Sequence, residues 1–93
     1  MAPQNRAGDD ISIRRRRLAY RAAHRGTREL DLLLGPYTAA RAGTMDAAEL
    51  DALERLLDEA DTTLQTWFLG QEEPPAHQQP LIQNILAFRQ TST

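Results

Sequence analysis

A chain of 93 residues makes one domain near the size at which a single hydrophobic core closes, with no room for a catalytic domain beside a scaffold. Cysteine is absent, which excludes disulfides, thiolate metal sites and cysteine nucleophiles and suits a reducing cytoplasm. The net charge of -2 conceals an asymmetry: residues 1–28 hold eight Arg against two Asp, and residues 29–93 hold three Arg against eleven acids. Such a split marks either a nucleic-acid arm or opposed faces that pair within the fold.

In chain order, residues 1–10 have Pro3, Gly8 and little apolar content and are expected as a flexible tail. No run reaches the roughly 18 apolar residues of a membrane span and the opening has no apolar signal core, so a cytoplasmic chain without membrane insertion is expected. Asp10 or Ser12 can cap a first helix over about Ile13 to Arg25, with Leu18 and Ala22 on one side and Gly26 as its stop. Thr27 starts a second helix carrying Leu30, Leu33, Leu34 and Tyr37; Gly35 and Pro36 should bend or split it, and Gly43 should end it.

Asp46 and Glu49 resemble a capping box ahead of Leu50, Leu53, Leu56 and Leu57, the most regular apolar stripe in the chain. Asp61 can cap a short fourth helix with Leu64, Trp67 and Phe68, closed by Gly70. A polar connector over residues 71–79 leads to Pro80, which suits the start of a fifth helix with Leu81, Ile82, Ile85, Leu86 and Phe88. The expectation is all-α: a compact bundle of about five short helices, a single domain over residues 11–90, and a C-terminal tail over residues 91–93.

The residue inventory argues against enzyme chemistry. His24 and His77 have no second ligand at metal-site spacing, and the carboxylates Asp51, Glu54, Asp58 and Glu59 sit on the polar side of an amphipathic helix. No glycine loop that could cradle phosphate occurs. Arg14, Arg15, Arg16 and Arg17, with Arg21, are the nucleic-acid candidate, but four consecutive side chains fan around most of a helix and cannot form one stripe. A solvated helix end, or docking to an acidic protein surface, fits the run better. Trp67 and Phe68 read as core.

The stretch HRGTRELD, residues 24–31, interrupts the helical pattern and resumes it at once. Arg25 with Glu29, and Arg28 with Asp31, stand at ion-pair spacing, and Glu29 and Asp31 complement the positive end of the second helix. Those roles do not call for Gly26. A residue without Cβ permits positive φ at the corner and lets the backbone of a partner come close, between Arg25 and Glu29 as a charged clamp.

Arg17-Leu18-Ala19-Tyr20, then Arg25-Gly26-Thr27-Arg28-Glu29-Leu30-Asp31, then Asp61, Trp67 and Gly70, resemble the succinate dehydrogenase assembly factors that promote covalent flavin attachment. The family hallmark Arg-Gly-x-x-Glu is matched by Arg25, Gly26 and Glu29, and the likeness covers about residues 13–88. It implies a small five-helix assembly factor or chaperone, not an enzyme and without a catalytic site of its own, that binds the flavoprotein subunit of succinate dehydrogenase, and in some bacteria of fumarate reductase. FAD would be carried by that partner and linked to a histidine there, so the chain would need no cofactor of its own. Arg17, Arg25, Gly26, Arg28, Glu29 and Asp31 are the partner-binding candidates on a monomer. Thr63 departs from the pattern, standing where relatives often have a second acid before the tryptophan. The alternative is a small helical nucleic-acid-binding or toxin-antitoxin-type regulatory protein that uses Arg14 to Arg17.

Overall fold

The computed structural model describes residues 6–91. Helix α1 spans Arg6–Ala23, α2 Arg28–Arg41, α3 Ala47–Leu57, α4 Asp61–Phe68 and α5 Gln79–Thr91. Short 3-10 turns over Ala42–Thr44 and Ala76–Gln78 lead into α3 and α5. No strand occurs among the described residues, so the fold is the expected all-α bundle.

The apolar spacings place one core between the helices. Leu18 and Ala22 of α1, Leu30, Leu33, Leu34 and Tyr37 of α2, and Leu50, Leu53, Leu56 and Leu57 of α3 are buried together with Leu64, Trp67, Ile82 and Ile85. Helix α2 packs against α1, α4 and α5, while α1 also lies along α3. Gly35 permits the closest approach: a Cβ there would stand 3.3 Å from Cα and Cβ of Ala23, tighter than ordinary contact. Tyr37 meets Phe88 edge-on at 5.7 Å, and Arg41 lies over the same ring, tying α2 to α5.

Several boundaries differ from the sequence reading. Helix α1 begins at Arg6, so residues 6–10 are helical rather than tail; the remainder of that expected tail, residues 1–5, lies outside the described residues. A downstream nucleus explains this, because extending an existing helix adds one hydrogen bond per residue fixed, and one glycine does not stop it. The helix ends at Ala23, not Arg25. Thr91 belongs to α5, and residues 92 and 93 of the expected C-terminal tail are outside the described residues.

Pro36 does not split α2, which runs unbroken through it. The carbonyl that proline leaves without a donor is that of Leu32, and both Leu32 and Pro36 are exposed, where water can satisfy it. The capping box forms as read: Asp46 accepts from the Glu49 amide at 2.8 Å and Glu49 accepts from the Asp46 amide at 2.9 Å. Gly70, at φ 75°, closes α4 with a Schellman pattern, its amide bonding Trp67 O while that of Gln71 bonds Thr66 O.

Candidate functional site

The HRGTRELD stretch forms the corner between α1 and α2. Gly26 sits at φ 98°, a backbone conformation that favours glycine, and a Cβ built there would meet nothing within 4 Å. The corner therefore faces open space, and its glycine is required by backbone angle rather than by crowding inside the fold. Thr27 is the extended N-cap residue of α2, but its hydroxyl makes no capping bond. The turn is held instead by Asp31, whose Oδ1 accepts the Arg25 amide at 2.7 Å across the glycine.

The clamp expected of Arg25 and Glu29 is not what the structure builds. The Arg25 side chain is only 11% exposed and turns inward, pairing with Asp61 Oδ1 at 2.8 Å through both Nε and a terminal nitrogen. The other donations go to the carbonyls of Leu57 and Glu59. Both lie where α3 ends, so the guanidinium satisfies acceptors that a helix terminus leaves open. Arg28 and Glu29 are exposed in the first turn of α2, and neither side chain has an ion-pair or hydrogen-bond partner among the described residues.

Asp61 is correspondingly not the cap of α4. Ala60 holds the extended N-cap position, and Asp61 is the first helical residue with its carboxylate committed to Arg25. Local sequence pattern favoured the cap because aspartate before an apolar run has that role so often. The competing partner comes from 36 residues upstream and leaves no local trace.

The arginine run divides in the same way. Arg14 bonds Asp51 at 2.6 Å and Glu54 at 2.8 Å, Arg15 donates to Met45 O, and Arg21 reaches Leu57 O and Asp58. The hydrogen bond to Asp51, and then that to Glu54, hold the Arg14 guanidinium above its ordinary pKa. Opposed faces thus pair within the fold, and the solvated helix end expected of the whole run is confined to Arg16 and Arg17. Arg17 lines a depression with Ile13, Leu18 and Glu54, on α1 ahead of the corner.

Two shallow features flank the corner. On one side Tyr20, 65% exposed, stacks on His24 with ring centroids 4.0 Å apart, beside Arg21, Arg25 and Asp61. On the other, Glu29 borders an apolar groove formed by Leu33 of α2, Phe68 and Leu69 at the end of α4, and Leu86 of α5. Leu69 is 70% exposed. Neither the stack nor the groove was read from the sequence, although Tyr20 and His24 stand at the i, i+4 spacing that brings helical side chains together. Among the described residues no group of His, Cys, Asp or Glu could hold a metal ion, and no helix is long and apolar enough to cross a membrane.

A small five-helix bundle with an exposed, charged, glycine-hinged corner is the class of protein that fold and site define. Residues 16–89 match the family model described as flavinator of succinate dehydrogenase, and the chain belongs to that family. It is similar to the FAD assembly factor SdhE of Acetobacter pasteurianus, 47% identical over 69% of this chain and 59% of that protein. Two fungal proteins, each named mitochondrial succinate dehydrogenase assembly factor 2, are also similar. The one from Cryptococcus neoformans is 34% identical over 89% of this chain and 49% of its own length. That from Lodderomyces elongisporus is 39% identical over 72% of this chain and 41% of its own length. The chain thus spans about half the length of these relatives. No solved structure matches it at a significant level.

Proposed function

We propose that the chain is an assembly factor that docks its Gly26 corner on the flavoprotein subunit of succinate dehydrogenase and promotes covalent attachment of FAD to a histidine of that subunit. Family membership supports the client. The observation that carries the docking face is the division of the motif: Arg25 and Asp31 are bonded into the frame, whereas Gly26, Arg28 and Glu29 are exposed, the last two without partners among the described residues. Exposed charge on a turn whose backbone is held on both sides suits recognition of a preformed surface, because little ordering entropy remains to be lost on binding.

In this reading the chain supplies no catalytic group and no cofactor. It selects the flavoprotein conformation in which FAD and the acceptor histidine are in reactive geometry, raising their effective molarity while the client's own site performs the chemistry. Arg17 contributes at the edge of the contact, and in this reading the chain acts as a monomer in the bacterial cytoplasm. The test is co-expression with the flavoprotein subunit, followed by denaturing electrophoresis. Flavin fluorescence that stays with the subunit only when this chain is present is the expected result; equal fluorescence in its absence overturns the proposal.

A further inference from the structure

Arg25 and Glu29 belong to one five-residue motif, yet they face opposite ways. The Arg25 guanidinium has three acceptors, the carbonyls of Leu57 and Glu59 and the carboxylate of Asp61, and the carboxylate is the only anion paired with it among the described residues. Its backbone amide goes to Asp31, in the first turn of α2. One residue therefore joins three segments: the end of α3, the start of α4 and the start of α2.

We propose that Asp61 is a positioning residue for the docking corner: by fixing the Arg25 guanidinium over the link between α3 and α4, it sets where Gly26, Arg28 and Glu29 stand. The inference rests on the docking reading above and extends it to a residue outside the motif. Nothing packs on the outer side of the corner at Gly26, since beyond its two chain neighbours no residue comes within 4 Å of where a side chain would begin. Restraint comes from the inside, through Asp61 to the Arg25 side chain and from the Arg25 amide to Asp31. Without Asp61 the guanidinium keeps two carbonyls but loses its counter-charge at a largely buried position, and a charge left unpaired there is drawn toward water. The corner would then move with it.

Two other roles make different predictions. If Asp61 only stabilises the domain, its loss is felt by the whole core in proportion. If Arg25 itself contacts the client, releasing it from Asp61 leaves binding unchanged or strengthens it.

The experiment uses the full chain carrying Asp61→Ala or Asp61→Asn. Amide hydrogen exchange is followed at Arg25 and Asp31, whose amides bond Asp31 Oδ1 and Thr27 O, and at Leu53 in the core of α3. Asp61→Ala should speed exchange at the corner about tenfold relative to Leu53, and Asp61→Asn, which keeps an acceptor oxygen for Arg25, should do so less. Corner exchange that is unchanged, or that rises only in step with Leu53, overturns the assignment. With the flavoprotein subunit, affinity should fall about tenfold for Asp61→Ala and recover in part for Asp61→Asn. Unchanged or tighter binding by a folded Asp61→Ala chain also overturns it. If the unaltered chain does not bind the subunit, the docking reading fails, while the exchange measurement still decides whether Asp61 fixes the corner.

Discussion

Gly26 offers a way to separate the strain of a side chain at the corner from its obstruction of a partner. The residue has φ 98° and open space where a Cβ would begin, so alanine meets no neighbour and its cost is that of holding an L-residue at positive φ. That cost is about 1–2 kcal/mol. For a domain of this size it should lower the melting midpoint by about 5–15 °C. A glutamine at the same position carries the same backbone strain, and its longer, uncharged side chain extends into solvent. Gly26→Ala and Gly26→Gln should therefore melt together. If a partner approaches the corner closely, their functions should diverge: measured well below both midpoints, covalent flavin yield in the co-expressed flavoprotein should be retained in part with Ala and abolished with Gln. Equal yields at equal stability would refute close approach at Gly26, and a markedly less stable Gln variant would refute the open geometry.

Glu29→Ala removes an exposed carboxylate from the first turn of α2 at a cost of about 0.3–1 kcal/mol, so the variant should fold cooperatively and yet fail to support flavin attachment; normal yield from the folded protein would falsify the docking corner. Arg14→Ala should lower the melting midpoint by an amount that shrinks with added salt, because its partners Asp51 and Glu54 are exposed by 52% and 44%. The raised pKa of Arg14 means that its contribution is complete throughout the range in which a free guanidinium is charged and is lost only at more alkaline pH, so the difference in midpoint should be flat between about pH 6 and 9. Burial raises the Tyr37 phenol above its ordinary range; the unfolded chain then ionises first, and stability should fall as pH rises through about 10, a decline that Tyr37→Phe should reduce. In titrations, flavoprotein whose FAD is not yet linked should bind more tightly than the finished subunit, and equal affinities would contradict an assisting role.

The parts of the fold that were legible are those whose determinants lie within one helix. Asp46, Glu49 and the four leucines that follow form α3 by local capping and a single apolar stripe, and Gly70 closes α4 through bonds to residues within five positions of it. The errors share the opposite character. Asp61 was open to reading as a cap until Arg25 claimed it, and Arg14, Arg15 and Arg21 were open to reading as solvated until α3 came alongside. The charge asymmetry between the two parts of the chain carried the information that such pairs form, but not which residues form them. The i, i+4 rule that pairs Arg25 with Glu29 applies inside one helix, and a helix boundary falls between them.

That boundary also accounts for the spacing of the motif. Arg25 precedes a residue at positive φ and Glu29 follows it, so the chain direction changes between two side chains that a continuous helix would place on one face. The reversal allows one charge to be spent on the frame while the other is offered to solvent. A continuous helix through residues 24–29 would place both on a single helical surface, where they could neutralise each other. Arg25 would then lose its reach to the end of α3 and Glu29 its freedom to meet a partner. The motif is thus a geometric unit rather than a set of independent contacts: its glycine separates an inward-turned Arg25, bonded to Asp61 and Asp31, from an exposed Glu29, the arrangement that the docking proposal requires.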